Sequence, residues 1–212
     1  MTKVLTIDGA SGTGKTSVSQ MLANELGYHL LLSGLIYRLV AYQDLTLNQI
    51  MTISVSDIKI NSKSRQIEFY YLGKSCLDQL MRPQVAEMAS IKAKDPAVRK
   101  ALLPLQRSFA QGAGLIAEGR DMGSVVFPDA DLKVFLTASD EVRASRRAKQ
   151  LQLAGKSFKM QELLEKMSKR DTRDLGRKCA PLVCPEDSVA IDTSNMAITE
   201  VVQTIIKSLH VV

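Results

Sequence analysis

The strongest constraint on this chain is a glycine-rich segment near its start, residues 9 to 16, with the sequence GASGTGKT. It fits the pattern G-x-x-x-x-G-K-[ST] at every fixed position. A mostly apolar run, residues 4 to 7, precedes it, and apolar residues at helical spacing follow it: Val18, Met21, Leu22 and Leu26. The motif requires this order of strand, turn and helix, so the pattern predicts a phosphate-binding loop and not a chance match in a surface turn.

Each residue type in this loop suits a polyphosphate ligand. Three glycines allow positive φ and turn successive backbone N–H groups inward, and the following helix adds the positive end of its dipole. Lys15 is expected to lie along the β- and γ-phosphates of a nucleotide, and the Thr16 hydroxyl to ligate Mg²⁺. The predicted phosphate-binding residues are Gly9, Ala10, Ser11, Gly12, Thr13, Gly14, Lys15, Thr16 and Ser17.

Strand and helix signals alternate along most of the chain. Besides the first strand, short apolar runs predict strands at residues 28–32, 114–118, 132–136 and 189–191, with helices between them. This alternation predicts an α/β fold, a five-stranded parallel sheet with helices on both faces, whose ligand lies beyond the carboxyl ends of the strands. One predicted helix contains Pro104, which should kink or shorten it, and another covers residues 158–170.

A different pattern occupies residues 43–75. Apolar and polar residues alternate over residues 58–60 and again over residues 67–71. Because side chains on a strand point to opposite faces in turn, this period predicts a small antiparallel β insertion.

The overall composition, with 45% hydrophobic and 24% charged residues among 212, is typical of one globular domain. No stretch has the features of a leader or a membrane span, so we expect a cytoplasmic protein without a membrane partner. Its three cysteines lack the spacing of a disulfide framework or a zinc site, which predicts reduced thiols. We also expect a monomer.

The net charge of +6 is concentrated in one stretch. From Arg143 to Lys178 there are twelve Lys or Arg residues and four acidic ones. Phe158 is the single aromatic residue of this stretch that could stack on bases. The stretch therefore favours phosphate binding or a solvated helical surface over a nucleic-acid partner.

A phosphate-binding loop alone fits a GTPase, an ATP-driven machine, a small-molecule kinase or a nucleotide binder without chemistry. The sequence lacks an N-K-x-D or T-K-x-D motif for guanine, and has arginines after predicted strands and helices instead: Arg38, Arg120 and the run from Arg170 to Arg177. Guanidinium groups bind phosphates through two donors at once, which indicates an acceptor that is itself a phosphate. Such an acceptor is already ionised at neutral pH and needs no catalytic base. The alternative is that these arginines form only surface salt bridges.

The chain resembles bacterial cytidylate kinases over almost its whole length. The resemblance is carried by residues 7–15, 32–38, 82–90, 96–99, 106–109 and 191–194, and above all by GRDMGSVVFP at 119–128 and RDTRDLGRKCAPL at 170–182. It implies Mg²⁺-assisted transfer of a phosphoryl group from ATP, held by the loop, to CMP or dCMP. Two alternatives stay open: a related kinase acting on UMP, AMP or a hydroxyl acid, and a nucleotide-dependent switch without transfer chemistry.

The resemblance also implies roles for individual residues. Ser90, Arg99 and Asp121 would contact the cytosine edge. Asp174 and Arg170 would hold the ribose, and the other predicted CMP contacts are Ser33, Tyr37, Arg38, Arg120 and Arg177, of which the arginines would bind the acceptor phosphate. The residues expected to assist the transfer are Lys15, Arg120, Arg173 and Arg177. Arg146, Arg147 and Arg173 would move with a lid toward the ATP phosphates.

A division of the single domain follows from the same resemblance. The core would comprise residues 1–42, 83–145 and 178–212, the monophosphate-binding insert about residues 43–82 and the lid about residues 146–177. Two residues depart from the family pattern. Leu32 stands where an aspartate is usual, and Thr16 stands where a glycine is common, which makes Thr16 the Mg²⁺ candidate.

Overall fold

The computed structural model describes residues 2–63, 66–153 and 155–209. The strands are β1 (Lys3–Gly9), β2 (His29–Leu32), β3 (Ile58–Lys63), β4 (Gln66–Tyr71), β5 (Lys74–Ser75), β6 (Gly114–Glu118), β7 (Leu132–Thr137) and β8 (Val189–Asp192). The α-helices are α1 (Lys15–Leu26), α2 (Ser33–Tyr42), α3 (Leu47–Thr52), α4 (Leu77–Leu80), α5 (Pro83–Lys92), α6 (Pro96–Arg107), α7 (Asp140–Leu153), α8 (Met160–Leu175) and α9 (Ile198–Leu209). A 3₁₀ turn (Val55–Asp57) precedes β3, and a π-helical turn (Met122–Val126) follows β6.

The main sheet has five parallel strands in the order β2-β6-β1-β7-β8. Its central strands are apolar along most of their length because helices cover both faces, and Leu5, Ile7, Leu115 and Ile116 are fully buried. The predicted α/β fold with a five-stranded parallel sheet is confirmed. All five strands end at one edge of the sheet, so the segments that follow them can build one site.

A second, antiparallel sheet pairs β3 with β4 and β4 with β5. Ile58 lies opposite Tyr71 and Ile60 opposite Phe69, so the apolar residues of the two strands share one face. Phe69 is fully buried, and β3 contacts α1 and β2 of the main unit. This sheet confirms the predicted β insertion.

Helices α7 and α8 pack against each other through an apolar cluster that is separate from the main core. The cluster consists of Ala144 and Ala148 of α7 and Leu163 and Met167 of α8. Its members recur at intervals of four residues, which places each pair on one helix face. Helices α7 and α8 therefore form a hairpin with its own small interior, which begins before the predicted lid of about residues 146–177 and includes Ala144 of the predicted core.

Two helix boundaries differ from the sequence predictions. Helix α8 covers Met160–Leu175 where residues 158–170 were predicted, so most of the arginine run belongs to the helix and does not follow it. The reason is that no helix breaker occurs before Gly176, whose N–H donates to the carbonyl of Thr172. A kink or a shortening was predicted at Pro104, and the helix is not shortened there, since α6 continues to Arg107.

Cys76 is a buried free thiol, Cys179 is partly buried and Cys184 is exposed. Among the helices of the described residues, none combines the length and the apolar character that a membrane crossing requires.

Candidate active site

The segments that follow β1, β6 and β8 meet at the carboxyl edge of the main sheet. The glycine-rich loop connects β1 to α1, the segment Gly119–Asp121 follows β6, and Thr193 follows β8. Residues from α2, α5, α6 and α8 complete the site. The structure thus brings together residues that are more than 150 positions apart in the sequence.

The loop has the backbone that its glycines predict. Gly9, Gly12 and Gly14 have φ values of 145°, 83° and 90°, in the region where only glycine is unstrained. A Cβ on Gly9 would collide with the carbonyl oxygen of Leu136, so glycine is also required for the loop to leave the sheet beside β7. Gly14 caps α1 in a left-handed conformation, and the first N–H groups of that helix are therefore directed toward the loop.

Lys15 lies inside the loop. Its Nζ donates to the carbonyl oxygen of Ala10 at 2.5 Å and to Thr13 Oγ1 at 3.3 Å. Burial lowers the pKa of Lys15 well below its usual value, and the positive charge of Arg120 lowers it further. The charge of a bound anion would counteract this lowering, because opposite charge stabilises the ammonium form.

The Thr16 hydroxyl donates to Glu118 Oε2 at 3.1 Å. This contact joins the first turn of α1 to the end of β6 and sets a hydroxyl beside a carboxylate. Both are oxygen ligands of the kind that Mg²⁺ prefers. Among the described residues, no group of three or more His, Cys, Asp or Glu side chains could hold a metal by itself.

Asp8 fixes the connection after β6, a role that sequence reasoning missed. Its two carboxylate oxygens accept the backbone N–H groups of Met122 at 2.9 Å and Gly123 at 2.8 Å. Burial raises the pKa of Asp8 from 3.8 to about 6. The carboxylate therefore anchors the π-helical turn to the strand that precedes the loop.

Asp174 lies at the centre of a cluster of arginines. It accepts from Arg120 Nε at 3.0 Å, and its oxygens lie 3.9 Å from Arg170 Nε and from Arg177 Nη2. Burial lowers the pKa of Arg170 to about 10, and the charge of Arg120 contributes. One buried carboxylate thus offsets only part of the positive charge of three guanidinium groups.

Arg38 adds to the same positive region. It donates from Nη1 to the carbonyl of Leu80 at 2.9 Å, which ties α2 to the end of α4. Burial lowers the pKa of Arg38, and the nearby charge of Arg147 lowers it further. Excess buried positive charge is what a site for phosphate groups requires.

A second cluster contains three of the predicted acceptor contacts. Arg99 and Asp121 form a buried ion pair, and the Arg99 guanidinium lies 5.5 Å from the centre of the Tyr37 ring. Arg99 Nη1 also donates to the carbonyl of Ala93 at 3.2 Å. These contacts fix the Arg99 guanidinium, a donor group, beside the Asp121 carboxylate, an acceptor group.

Several polar atoms around these clusters are buried without a hydrogen-bond partner among the described residues. They include Tyr37 Oη, Ser90 Oγ, Arg170 Nε and Arg177 Nη2. Leaving such groups unpaired costs free energy, so their presence together favours a polar ligand at this position. Ser33 differs, since its hydroxyl accepts from Gln106 Nε2 at 2.8 Å.

The three predicted lid arginines have different partners. Arg173 binds both carboxylate oxygens of Glu87, at 2.6 and 2.9 Å. Arg146 binds the hydroxyl and the carbonyl of Thr193, at 2.9 and 2.6 Å, and its Nη1 lies 3.9 Å from the position of a Cβ on Gly14. Arg147 donates to Gln150 at 3.1 Å. Arg146 is therefore beside the loop, whereas Arg173 is turned toward α5.

The chain is similar to known proteins over almost its whole length. The family profile described as "Cytidylate kinase" matches residues 5–211. The cytidylate kinase of Aeromonas salmonicida is 43% identical, with 97% of this chain and 93% of that protein covered. The cytidylate kinase of a Marinomonas species is 42% identical, with 95% and 93% covered. An uncharacterized protein from Eubacterium ventriosum of known crystal structure has the same fold at a TM-score of 0.59 and 14% identity, with both chains fully covered.

Proposed function

This chain belongs to the cytidylate kinase family, and on that premise we propose that it transfers the γ-phosphoryl group of ATP to CMP or dCMP. The observation that carries the proposal is the position of Arg120. It pairs with Asp174 in the arginine cluster and is close enough to Lys15 to lower its pKa. A site that brings two anionic nucleotides together needs positive charge between them, and Arg120 supplies it.

ATP would be bound by the loop from Gly9 to Ser17, with Lys15 at the β- and γ-phosphates. Mg²⁺ would be held by the Thr16 hydroxyl, with Glu118 accepting from water molecules of the cation. The cation would neutralise charge on the phosphates. The contact between Thr16 and Glu118 supports this assignment, because it aligns the two oxygens before any ligand binds.

CMP would lie on the opposite side of Arg120. Ser90, Arg99 and Asp121 would pair with the cytosine edge, which offers both donors and acceptors. Asp174 and Arg170 would hold the ribose, with Tyr37 and Ser33 near it. The acceptor phosphate would be bound by Arg38, Arg120 and Arg177, and the unpartnered Nη2 of Arg177 supports this role.

The proposal includes closure of two mobile parts over the core, an insert of about residues 43–82 and a lid of about residues 146–177. Arg146, Arg147 and Arg173 would move toward the ATP phosphates during closure, which would also exclude water. We further propose a monomer that acts in the cytoplasm, where ATP is available.

A panel of acceptors tests the function. The protein is incubated with ATP and Mg²⁺ and with CMP, dCMP, UMP, AMP or shikimate, and ADP and the phosphorylated product are quantified. We expect transfer to CMP and dCMP, and loss of transfer when the cation is chelated. Transfer to a hydroxyl acceptor would favour a different small-molecule kinase, and ATP binding without turnover would favour a nucleotide-dependent switch.

A further inference from the structure

Two carbonyl groups of the glycine-rich loop are held from outside the loop. Arg143 of α7 donates from Nη1 to the carbonyl oxygen of Ser11 at 3.0 Å. Thr193, which follows β8, donates from Oγ1 to the carbonyl oxygen of Thr13 at 3.0 Å. Neither residue belongs to the loop motif.

Each of these contacts fixes the direction of one loop N–H group. A trans peptide unit is planar, so its carbonyl and the N–H of the next residue point in opposite directions. When Arg143 holds the Ser11 carbonyl, the N–H of Gly12 must point the other way, toward the inside of the loop. When Thr193 holds the Thr13 carbonyl, the N–H of Gly14 is directed inward in the same manner. Without these donors, both glycines could reverse their peptide planes, because glycine lacks the steric restriction of a Cβ.

Arg143 is itself held in place by two carboxylates and by burial. It forms ion pairs with Asp171 at 2.6 Å and with Asp140 at 2.5 Å, and it is 7% exposed. A Cβ on Gly12 would lie 3.0 Å from Arg143 Cβ, so the arginine backbone packs directly on the loop. A buried, paired guanidinium has little freedom to leave the Ser11 carbonyl.

Thr193 is fixed equally well. Its backbone N–H donates to the carbonyl of Thr137 at 2.9 Å, and its Oγ1 accepts from Arg146 at 2.9 Å. The Thr137 carbonyl also lies 3.0 Å from Oγ1. The single hydroxyl proton is therefore shared between the Thr13 and Thr137 carbonyls, of which the Thr137 carbonyl also accepts from the Thr193 N–H.

We propose that Arg143 and Thr193 are positioning residues for phosphate binding, which act by setting the N–H groups of Gly12 and Gly14 toward the polyphosphate. The inference rests on the proposed function, since it assumes that the loop binds the donor phosphates. It concerns affinity for phosphate alone and not for the cytosine nucleotide. Experiments can therefore refute the positioning role without refuting the proposed function, and the reverse.

Binding of inorganic tripolyphosphate to the full chain, measured by calorimetry, tests the role of Thr193. We expect Thr193→Val to weaken binding by about tenfold, since the loop loses one orienting hydrogen bond, and Thr193→Ser to restore it to within about twofold. The KM for CMP should stay within about twofold in both variants, a result that general damage to the fold would not give. Wild-type affinity in Thr193→Val would overturn the inference for this residue.

Arg143→Met provides an independent test through the other carbonyl. Its matched control is Arg107→Met, since Arg107 also donates to two backbone carbonyls, those of Val126 and Val125, but outside the loop. We expect tripolyphosphate binding to weaken by about tenfold or more in the first variant and to remain unchanged in the second. Equal losses in both variants would overturn the inference. A wild-type protein that binds tripolyphosphate but does not phosphorylate CMP would contradict the proposed function and leave the positioning role intact.

Discussion

Arg173 of α8 and Glu87 of α5 form a two-point ion pair, with both guanidinium nitrogens on separate carboxylate oxygens at 2.6 and 2.9 Å. The hydrogen bonds from Arg173 lower the pKa of Glu87, and those same bonds to Glu87 raise the pKa of Arg173. This ion pair holds Arg173, a predicted catalytic residue, against helix α5, which also carries Ser90. The guanidinium group is thereby kept away from the glycine-rich loop. In the proposed reaction, Arg173 must leave Glu87 before it can contact ATP.

We therefore expect Glu87→Gln to lower the KM for ATP by about two- to fivefold, because an exposed ion pair contributes about 0.5 to 1 kcal/mol. Initial rates at saturating CMP measure this change. The control is Glu162→Gln, which should leave the KM for ATP unchanged. Glu162 lies on α8, the helix of Arg173, and its ion pair is with Lys159 at 3.6 Å. An unchanged or higher KM in Glu87→Gln would show that the pair does not restrain Arg173.

Arg177→Ala should reduce kcat by about 10³-fold or more, the effect expected for an arginine that stabilises a transferring phosphoryl group. The side chain is buried next to Asp174, and its Nη2 has no hydrogen-bond partner among the described residues. Lys178→Ala removes an exposed positive charge from the next residue and should have near wild-type turnover. Turnover near that of wild type in Arg177→Ala would rule out the proposed role.

Asp121→Asn should reduce the preference for CMP over UMP more than it affects the KM for ATP. The carboxylate is the proposed acceptor for the cytosine edge, and it is also the partner of buried Arg99. Breaking a buried pair on one side leaves an uncompensated charge, so we expect a loss of about 3 to 5 kcal/mol in the free energy of unfolding. The ratio of kcat/KM for the two acceptors, measured below the unfolding temperature of the variant, checks selectivity. An unchanged ratio would contradict the assignment.

Ionisation of buried Asp8 should lower the free energy of unfolding as pH rises from about 4 to about 6. Burial raises its pKa from 3.8 to about 6, so the native state binds the proton more tightly than the unfolded chain does. The contribution of protonated Asp8 to the free energy of unfolding is complete below pH 3.8 and is lost as pH rises through about 6. The shift corresponds to about 3 kcal/mol.

Urea unfolding of wild type and of Asp8→Asn between pH 4 and pH 7 measures this effect. The stability of wild type relative to the variant should fall with increasing pH, because the amide does not titrate. A difference that is independent of pH would show that the carboxylate is not destabilised by burial.

The sequence was sufficient for the main sheet and the loop, because these depend on local patterns. Glycine spacing predicted the positive φ angles at residues 9, 12 and 14, and apolar periodicity predicted the five parallel strands. The end of α8 was predicted too early because charged residues alone do not show whether a helix continues. The π-helical turn after β6 has no simple sequence signature and was not predicted.

The supporting contacts of the site could not be predicted in the same way. Asp8 with Met122, Arg143 with Ser11 and Thr193 with Thr13 join residues that are 114, 132 and 180 positions apart. Such pairs depend on how distant strands end at a common edge, which periodicity does not specify. The grouping of Tyr37, Arg99 and Asp121 was likewise implied by family resemblance and not by their spacing.

The four apolar side chains enclosed between α7 and α8 have a consequence for how the molecule opens. Because the hairpin has its own apolar interior, it can move as one unit without exposing any part of the β-sheet to solvent. Backbone amides of β1 and β6 should then stay protected from deuterium exchange throughout turnover. Such a movement would first have to release the contacts that Arg143 and Arg146 of α7 make with Ser11 and Thr193.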